Sequence, residues 1–260
     1  MADKWEELVK DYQLSKRLLL VADWIKPKSI VVDIGTDHAY LPIYLALHQI
    51  CSKVIALDVR QKPLERAKEN ISQFNVSDKV DIRLSDGMDK LLPMEADVVT
   101  ICGMGGKLIM DILERGRKKI DSTTQLLLSP QSELRLFRIF LYENGIQVLR
   151  EDMIWEEHQF YVLMDCRWKD KDIEKKQKLE NPQSYSDIEE MNFRYGEYLL
   201  KNKNSILKKM LIRDKKVCLG ILKQVTEAVQ SKKIREDKAE QRIQQLHRDI
   251  RIIDMAMDKF

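Results

Sequence analysis

The feature that most constrains this chain is an alternation, sustained to about residue 166, between short apolar runs and helical patterns. Runs at 29–35, 53–58, 80–86, 96–103 and 124–130 are rich in Val, Ile and Leu, and each ends in turn-forming residues. Between them lie stretches of helical spacing such as "RQKPLERAKENISQF". Strands separated by helices predict an α/β fold, with a mostly parallel sheet covered on both faces. Runs 146–155 and 159–165 leave no room for a helix between them, so an antiparallel pair is expected at the sheet edge. Ahead of the first strand, Trp5, Leu8, Val9, Tyr12, Leu18, Leu19 and Ala22 predict a helix within residues 5–25.

After Trp168 the texture changes. "KDKDIEKKQKLENPQ" reads as a charged connector, and Ser186 stands three residues before Glu189 as a capping-box start. Ala239, Ile243, Leu246, Ile250, Ile253, Met257 and Phe260 alternate steps of four and three, an a/d seam. Leu207, Leu211, Cys218, Ile221, Val225 and Ala228 repeat that pattern upstream. Two helices joined near 230–233 are expected to form an antiparallel coiled-coil hairpin, with an ordinary helical bundle as the alternative. The expected organisation is a sheet domain over 1–168, a connector over 169–185 and a helical domain over 186–260. Residues 171–260 hold 21 Lys and Arg against 15 Asp and Glu, whereas the remainder holds 24 against 27. A basic appendage on a near-neutral body points mildly to a polyanionic partner.

Residues 31–45, "VVDIGTDHAYLPIYL", read as a buried strand, a turn with one glycine, and a helix. A pyrophosphate cradle repeats its glycines as G-x-G-x-x-G; here Asp37, His38, Ala39 and Tyr40 stand instead. Ligands of open α/β sheets bind beyond the carboxyl ends of the strands, and each candidate strand ends in something useful. The first offers Asp33 and Gly35. The second offers Asp58, followed by Val59, an acceptor for two ribose hydroxyls. The third offers Asp86 and Gly87, suited to an adenine amino group. The fourth ends in Gly103-Met104-Gly105-Gly106 and the fifth in Ser129-Pro130-Gln131. Several carboxylates at one mouth repel a pyrophosphate but suit a cationic ligand rich in hydroxyl and amino donors. S-adenosylmethionine is such a ligand. Asp37 and His38 can serve its amino-acid end or face the acceptor, whereas His48, His158 and His247 have no partners legible in sequence.

No apolar run approaches the ~20 residues that span a bilayer, so no membrane partner is expected. The N-terminus is charged at once, which predicts a cytoplasmic protein. Cys51, Cys102, Cys166 and Cys218 are scattered without zinc spacing, so they are expected as buried thiols and no metal is expected.

The runs "DIGTDHAYLP", "ALDVRQKPLERAKENI", "SDGM", "GMGGKLIMDIL" and "SPQSELRLFRIFLYENG" closely resemble the bacterial tRNA adenine-22 N1-methyltransferase family, in order from about Leu14 to Asp165. The resemblance implies a Rossmann-like class I methyltransferase domain with a helical appendage, S-adenosylmethionine as cofactor and tRNA as partner. It implies methylation at N1 of an adenine in the D-arm region. A monomer is expected.

N1 of adenine has an in-plane lone pair and no proton, so its attack on a methyl group needs no general base. The base must leave its stack to reach the methyl group. Gly103, Met104 and Gly105 are the expected acceptor loop, with Tyr40 and Met104 packing on the base and Asp37 or His38 at its edge. The N/D-P-P-Y signature of adenine amino-methyltransferases is absent, consistent with a ring-nitrogen acceptor. RNA contacts are expected from Arg17, Arg135 and Arg138 near the cleft. The cluster Lys201, Lys203, Lys208, Lys209, Arg213, Lys215 and Lys216, opposed only by Asp214, is expected to add to them. Two alternatives stay open: a small-molecule or protein methyltransferase with a dimerising coiled coil, and a cofactor-binding RNA module without turnover. A nicotinamide dehydrogenase ranks third, because the glycine repeat is missing.

Overall fold

A computed structural model describes residues 12–169, 185–231 and 236–260, with side chains of the last helix described from Ala239. The chain divides into two compact units, Met1–Lys178 and Leu179–Phe260.

The first unit opens with helix α1 (Lys16–Trp24), followed by β1 (Ile30–Ile34), α2 (Tyr40–Leu47), β2 (Lys53–Asp58), α3 (Gln61–Gln73) and β3 (Val80–Leu84). It continues with β4 (Val98–Met104), α4 (Gly106–Gly116), β5 (Gln125–Pro130), α5 (Leu134–Glu143), β6 (Ile146–Glu156) and β7 (Gln159–Trp168). Within the described part of the expected helix over 5–25, residues 12–15 are not helical, and Ser15 Oγ accepts from Leu18 N at 3.5 Å to start α1. Trp5, Leu8 and Val9 lie outside the described residues.

The seven strands are ordered β3-β2-β1-β4-β5-β7-β6. β1 to β5 are mutually parallel, and β7 runs antiparallel between β5 and β6. The edge pair therefore stands as the short link between runs 146–155 and 159–165 requires. Burial on both faces explains the near-continuous apolar strands. Val31, Val54, Val98 and Leu127 join a core built with Val21, Ala22, Leu45 and Ala67 of α1, α2 and α3. Alternate residues, Val32, Ile55, Val99 and Leu126, are equally buried on the opposite face, where Ile109 and Leu113 of α4 and Phe137 of α5 are buried too. Strand order reverses between β1 and β4, and the crevice of such a sheet opens there.

The second unit holds α6 (Asp187–Tyr195), α7 (Glu197–Lys201), α8 (Ser205–Gln230) and α9 (Glu236–Met257). The capping box forms: Ser186 Oγ accepts from Glu189 N at 3.3 Å and Glu189 Oε2 accepts from Ser186 N at 2.9 Å. Lys208 Nζ lies 5.7 Å over the Phe260 ring, and Lys215 Nζ sits 2.6 Å from Asp254 Oδ1. Partners whose numbers rise on α8 as they fall on the C-terminal stretch make an antiparallel hairpin. Leu207, Leu211, Ala239, Leu246 and Ile253 of the two seams are buried, and so are Ile252 and Ala256 off the seam. The buried face of α9 is wider than a two-stranded seam because α6 also packs on it, tied by Arg194–Asp249 at 2.8 Å and Arg248–Asp187 at 3.3 Å. Most of the expected connector over 169–185 lies outside the described residues.

Candidate active site

The five parallel strands deliver their carboxyl ends to one cavity of about 440 Å³, a size that suits a small-molecule ligand. Each end contributes a distinct group.

At β1, Asp33 is only 6% exposed and accepts from Thr100 Oγ1 at 2.6 Å across the β1–β4 register. Burial raises its pKa, the Thr100 hydrogen bond opposes that rise, and Asp58 adds to it. Gly35 follows at φ +78°, with its N–H donating to Leu57 O at 2.8 Å. That backbone is closed to a side chain, and a Cβ there would also run into the Met104 methyl. Met104, carried by β4, thus reaches over the turn after β1.

The expected direct passage from turn to helix is interrupted. Asp37–Ala39 forms a short 3₁₀ turn with positive φ at three non-glycine residues, +20°, +51° and +59°. Each such left-handed residue costs about 1–2 kcal/mol, so the fold must hold the turn in place. Asn70 Nδ2 on α3 donates to His38 O at 2.9 Å, Tyr12 Oη donates to Tyr40 O at 3.1 Å, and Ala39 is fully buried. The turn aims His38 and Tyr40 together, ring centroids 5.5 Å apart, with His38 Nε2 3.6 Å from Asp37 Oδ1.

At β2, buried Asp58 accepts the Arg60 N–H at Oδ1, 2.8 Å, which leaves Oδ2 without a protein donor among the described residues. Past β3, Asp86 is bound by Arg115 of α4 at 2.9 Å, and this hydrogen bond holds its carboxyl below the usual carboxylate range. Past β4, register slips between Cys102 and Met104, a bulge of the kind common beside active sites. The half-buried Cys102 thiol is pushed up to about 12 by burial beside Asp33, so it does not supply a thiolate at neutral pH. Past β5, Gln131 N donates to Met104 O at 2.9 Å, which ties the ends of β4 and β5 together.

Of the residues expected from sequence, Asp33, Gly35, Asp37, Tyr40, Asp58, Val59, Asp86, Gly87, Gly103, Met104 and Arg17 all line this cavity. His38 instead lines an adjoining open groove of about 670 Å³ with Asp37, Arg60, Lys62 and Arg66. Gly105 lines neither; it precedes α4 and packs beside Ser132. Arg138 is a correction: it is 7% exposed and donates to Glu151 on β6 at 3.0 Å, so it holds α5 to the sheet and has nothing to offer a phosphate. Arg135 stands near the start of α5, half-buried. Lys201, Lys208, Lys209, Arg213 and Lys216 are exposed on α7 and α8. Arg213 pairs with Asp214 at 2.8 Å, and Lys215 is drawn to Asp254, so this cluster is more opposed than its sequence suggests. Sequence reasoning overlooked the basic groove residues Arg60, Lys62 and Arg66. They were detectable as positive charges at the start of the helix after the ribose-type Asp58. Among the described residues, no three His, Cys, Asp or Glu gather to hold a metal, and no helix is long and apolar enough to cross a membrane.

The methyltransferase-domain family model matches residues 14–164. The chain is 30% identical over 221 residues to the tRNA (adenine(22)-N(1))-methyltransferase of Bacillus subtilis (strain 168), covering 85% of this chain and 89% of that protein. The crystal structure of the B. subtilis M1A22 tRNA methyltransferase TrmK superposes with a TM-score of 0.79 at 27% identity, over 95% of this chain and 100% of that one. M. capricolum TrmK, solved with the cofactor product S-adenosyl-homocysteine, gives 0.75 at 26% identity over 95% and 98%. Sheet order, cavity and likeness along nearly the whole chain agree: this chain belongs to the tRNA (adenine(22)-N(1))-methyltransferase family.

Proposed function

We propose that this chain methylates N1 of adenine 22 in tRNA, using S-adenosylmethionine. One observation carries the reading: five strand ends meet in one cavity, with acids at the second and third ends and no repeated glycine at the first. Such a rim accepts hydrogen bonds from hydroxyl and amino groups and disfavours a pyrophosphate.

Bound S-adenosylmethionine supplies a methyl group made electrophilic by its sulfonium. Asp58 holds the ribose hydroxyls, Asp86 and the Gly87 turn receive the adenine amino group, and Asp33 and Gly35 serve the amino-acid end. The target adenine, turned out of its stack, enters over Gly103 and Gly105, packed by Tyr40 and Met104, with Asp37 or His38 at its edge. Because N1 carries no proton, these groups orient rather than deprotonate. Alignment of N1 in line with the methyl group is worth roughly 7–11 kcal/mol of a two-substrate barrier. The base gains positive charge as it reacts, and the Asp37 carboxylate opposes that charge. Arg17, Arg135, the Arg60–Lys62–Arg66 groove and Lys201, Lys208, Lys209, Arg213 and Lys216 neutralise tRNA phosphates. A single chain acting in the cytoplasm is the reading proposed with it.

The test is methyl transfer to tRNA transcripts carrying adenine or guanine at position 22, followed by nucleoside digestion and mass spectrometry. 1-Methyladenosine from the adenine transcript alone is expected. Another methylated nucleoside, equal transfer to both transcripts, or no product would overturn the assignment.

A further inference from the structure

Resting on the reaction just proposed, we infer that Gln131 is the residue that reads the target base as adenine, through the N6 and N7 atoms of its Hoogsteen edge. The strand order supplies the direction. Asp86, Asp58 and Gly35 stand at the ends of β3, β2 and β1, and the next ends along the sheet are Gly103 of β4 and Gln131 beyond β5. The adenosine and amino-acid parts of the donor occupy the first three ends, so the acceptor approaches from the last two. Gln131 lines the cavity from the β5 end, beside Gly103.

Its backbone is fixed, since Gln131 N donates to Met104 O at 2.9 Å. Its side chain is uncommitted: the residue is exposed, and its carboxamide makes no hydrogen bond among the described residues. It flanks Gly103 together with Arg17. A Cβ on that glycine would lie 3.9 Å from Gln131 Nε2 and 3.7 Å from Arg17 Nη1. Either assignment of the amide oxygen and nitrogen presents one donor and one acceptor to the same space.

The chemistry of the acceptor matches this pair. When N1 faces the methyl donor, the neighbouring N6 amino group and N7 remain for recognition, and a carboxamide meets them as acceptor and donor. Guanine offers acceptors at both O6 and N7, so the same carboxamide satisfies only one of them. The N6 contact also strengthens during reaction. Charge from the new N1–CH₃ bond spreads through C6 to N6, which makes the amino group a better donor to the Gln131 carbonyl in the transition state than in the ground state. A neutral group does this without attracting the cationic donor molecule away from its own site. Gln131 therefore acts on the rate more than on tRNA affinity.

The experiment uses single-turnover methylation of tRNA carrying adenine or 7-deazaadenine at position 22, by the wild-type enzyme and by Gln131→Ala and Gln131→Glu. S-adenosylhomocysteine affinity, unchanged in all three, reports an intact cofactor site. The wild type is expected to lose roughly tenfold on 7-deazaadenine, and Gln131→Ala to lose ten- to a hundredfold on adenine. The 7-deaza effect in the Ala variant reports only the intrinsic change in N1 nucleophilicity, which is common to every enzyme, so the wild-type loss and the Glu preference are read relative to it. Gln131→Glu keeps the N6 acceptor but sets a carboxylate against the N7 lone pair, so its preference should invert toward 7-deazaadenine. An equal 7-deaza penalty in all three enzymes, or a full rate for Gln131→Ala, overturns the inference while leaving the methyltransferase reading intact. No methylation of either tRNA by the wild type removes both.

Discussion

Asn70 Nδ2 donates to the carbonyl oxygen of His38 at 2.9 Å, so a side chain of α3 holds the backbone of a left-handed turn 32 residues earlier. That contact joins the helix after β2, which follows Asp58, to the loop after β1, which begins at Gly35. Asn70→Ala removes the clamp while His38 and Ala39 keep their unfavourable φ values. Stability should fall by about 1 kcal/mol. Affinity for S-adenosylhomocysteine should weaken several-fold as the turn relaxes. Calorimetric titration checks this, and unchanged affinity would show the turn to be held by other contacts.

Two glycines predict opposite outcomes on replacement by alanine. A Cβ at Gly106 would lie 2.7 Å from the Ser132 carbonyl oxygen, a backbone atom that cannot rotate away. Gly106→Ala should cost about 1–3 kcal/mol and lower kcat by displacing α4 from the segment after β5. Gly220, inside α8, has nothing within 4 Å of the same position. Gly220→Ala should stabilise by roughly 0.5–1 kcal/mol through helix propensity alone. Thermal unfolding of both variants tests the pair; a stable, active Gly106→Ala contradicts the close approach.

Phosphate contacts have a signature in salt. Replacing Lys208, Lys209, Arg213 and Lys216 by Gln should weaken tRNA binding and flatten the slope of log K against log [salt] by up to about 0.9 per lost contact in duplex regions. Arg60→Gln with Lys62→Gln and Arg66→Gln should do the same from the groove beside Asp37. Filter binding across a salt series measures both. A set whose slope matches the wild type contributes only surface charge.

Glu95 gives the pH prediction. Arg83 donates to it from two nitrogens, at 2.6 and 2.8 Å, and that bonding holds the Glu95 carboxyl down to about 2. A depressed folded-state pKa means stability that is present above the unfolded value near 4.5 and is lost as pH falls toward about 2. Glu95→Gln should therefore lower stability at neutral pH by about 2 kcal/mol, a Tm drop of about 4–8 °C. The gap to wild type should close between about pH 4.5 and 2. A gap independent of pH would assign the loss to packing.

The strands were legible because a parallel sheet buries both faces, so β1, β2, β4 and β5 appear as near-continuous apolar runs that need no alternation to be recognised. The carboxylates were legible for a related reason: a strand that ends at a ligand must end in a polar group, and Asp58 and Asp86 stand just there. Arg138 was not legible. Its neighbours Phe137 and Ile139 are buried like it, and only the distant Glu151 on β6 shows that this charge faces inward. Nor was the strained turn, since Asp37, His38 and Ala39 carry no glycine to announce positive φ.

By itself the sequence determined the order of elements, the sheet-and-helix partition of the chain, the acidic character of the strand ends and the family motifs, because these follow from local periodicity and residue type. Only the tertiary structure decided which charges meet: Arg138 with Glu151, Arg115 with Asp86, Asn70 with a backbone carbonyl, and Gln131 left unbonded beside Gly103. Those pairings span from 13 to 32 residues along the chain. They are set by how helices seat on the sheet, a matter of packing geometry that no local pattern encodes.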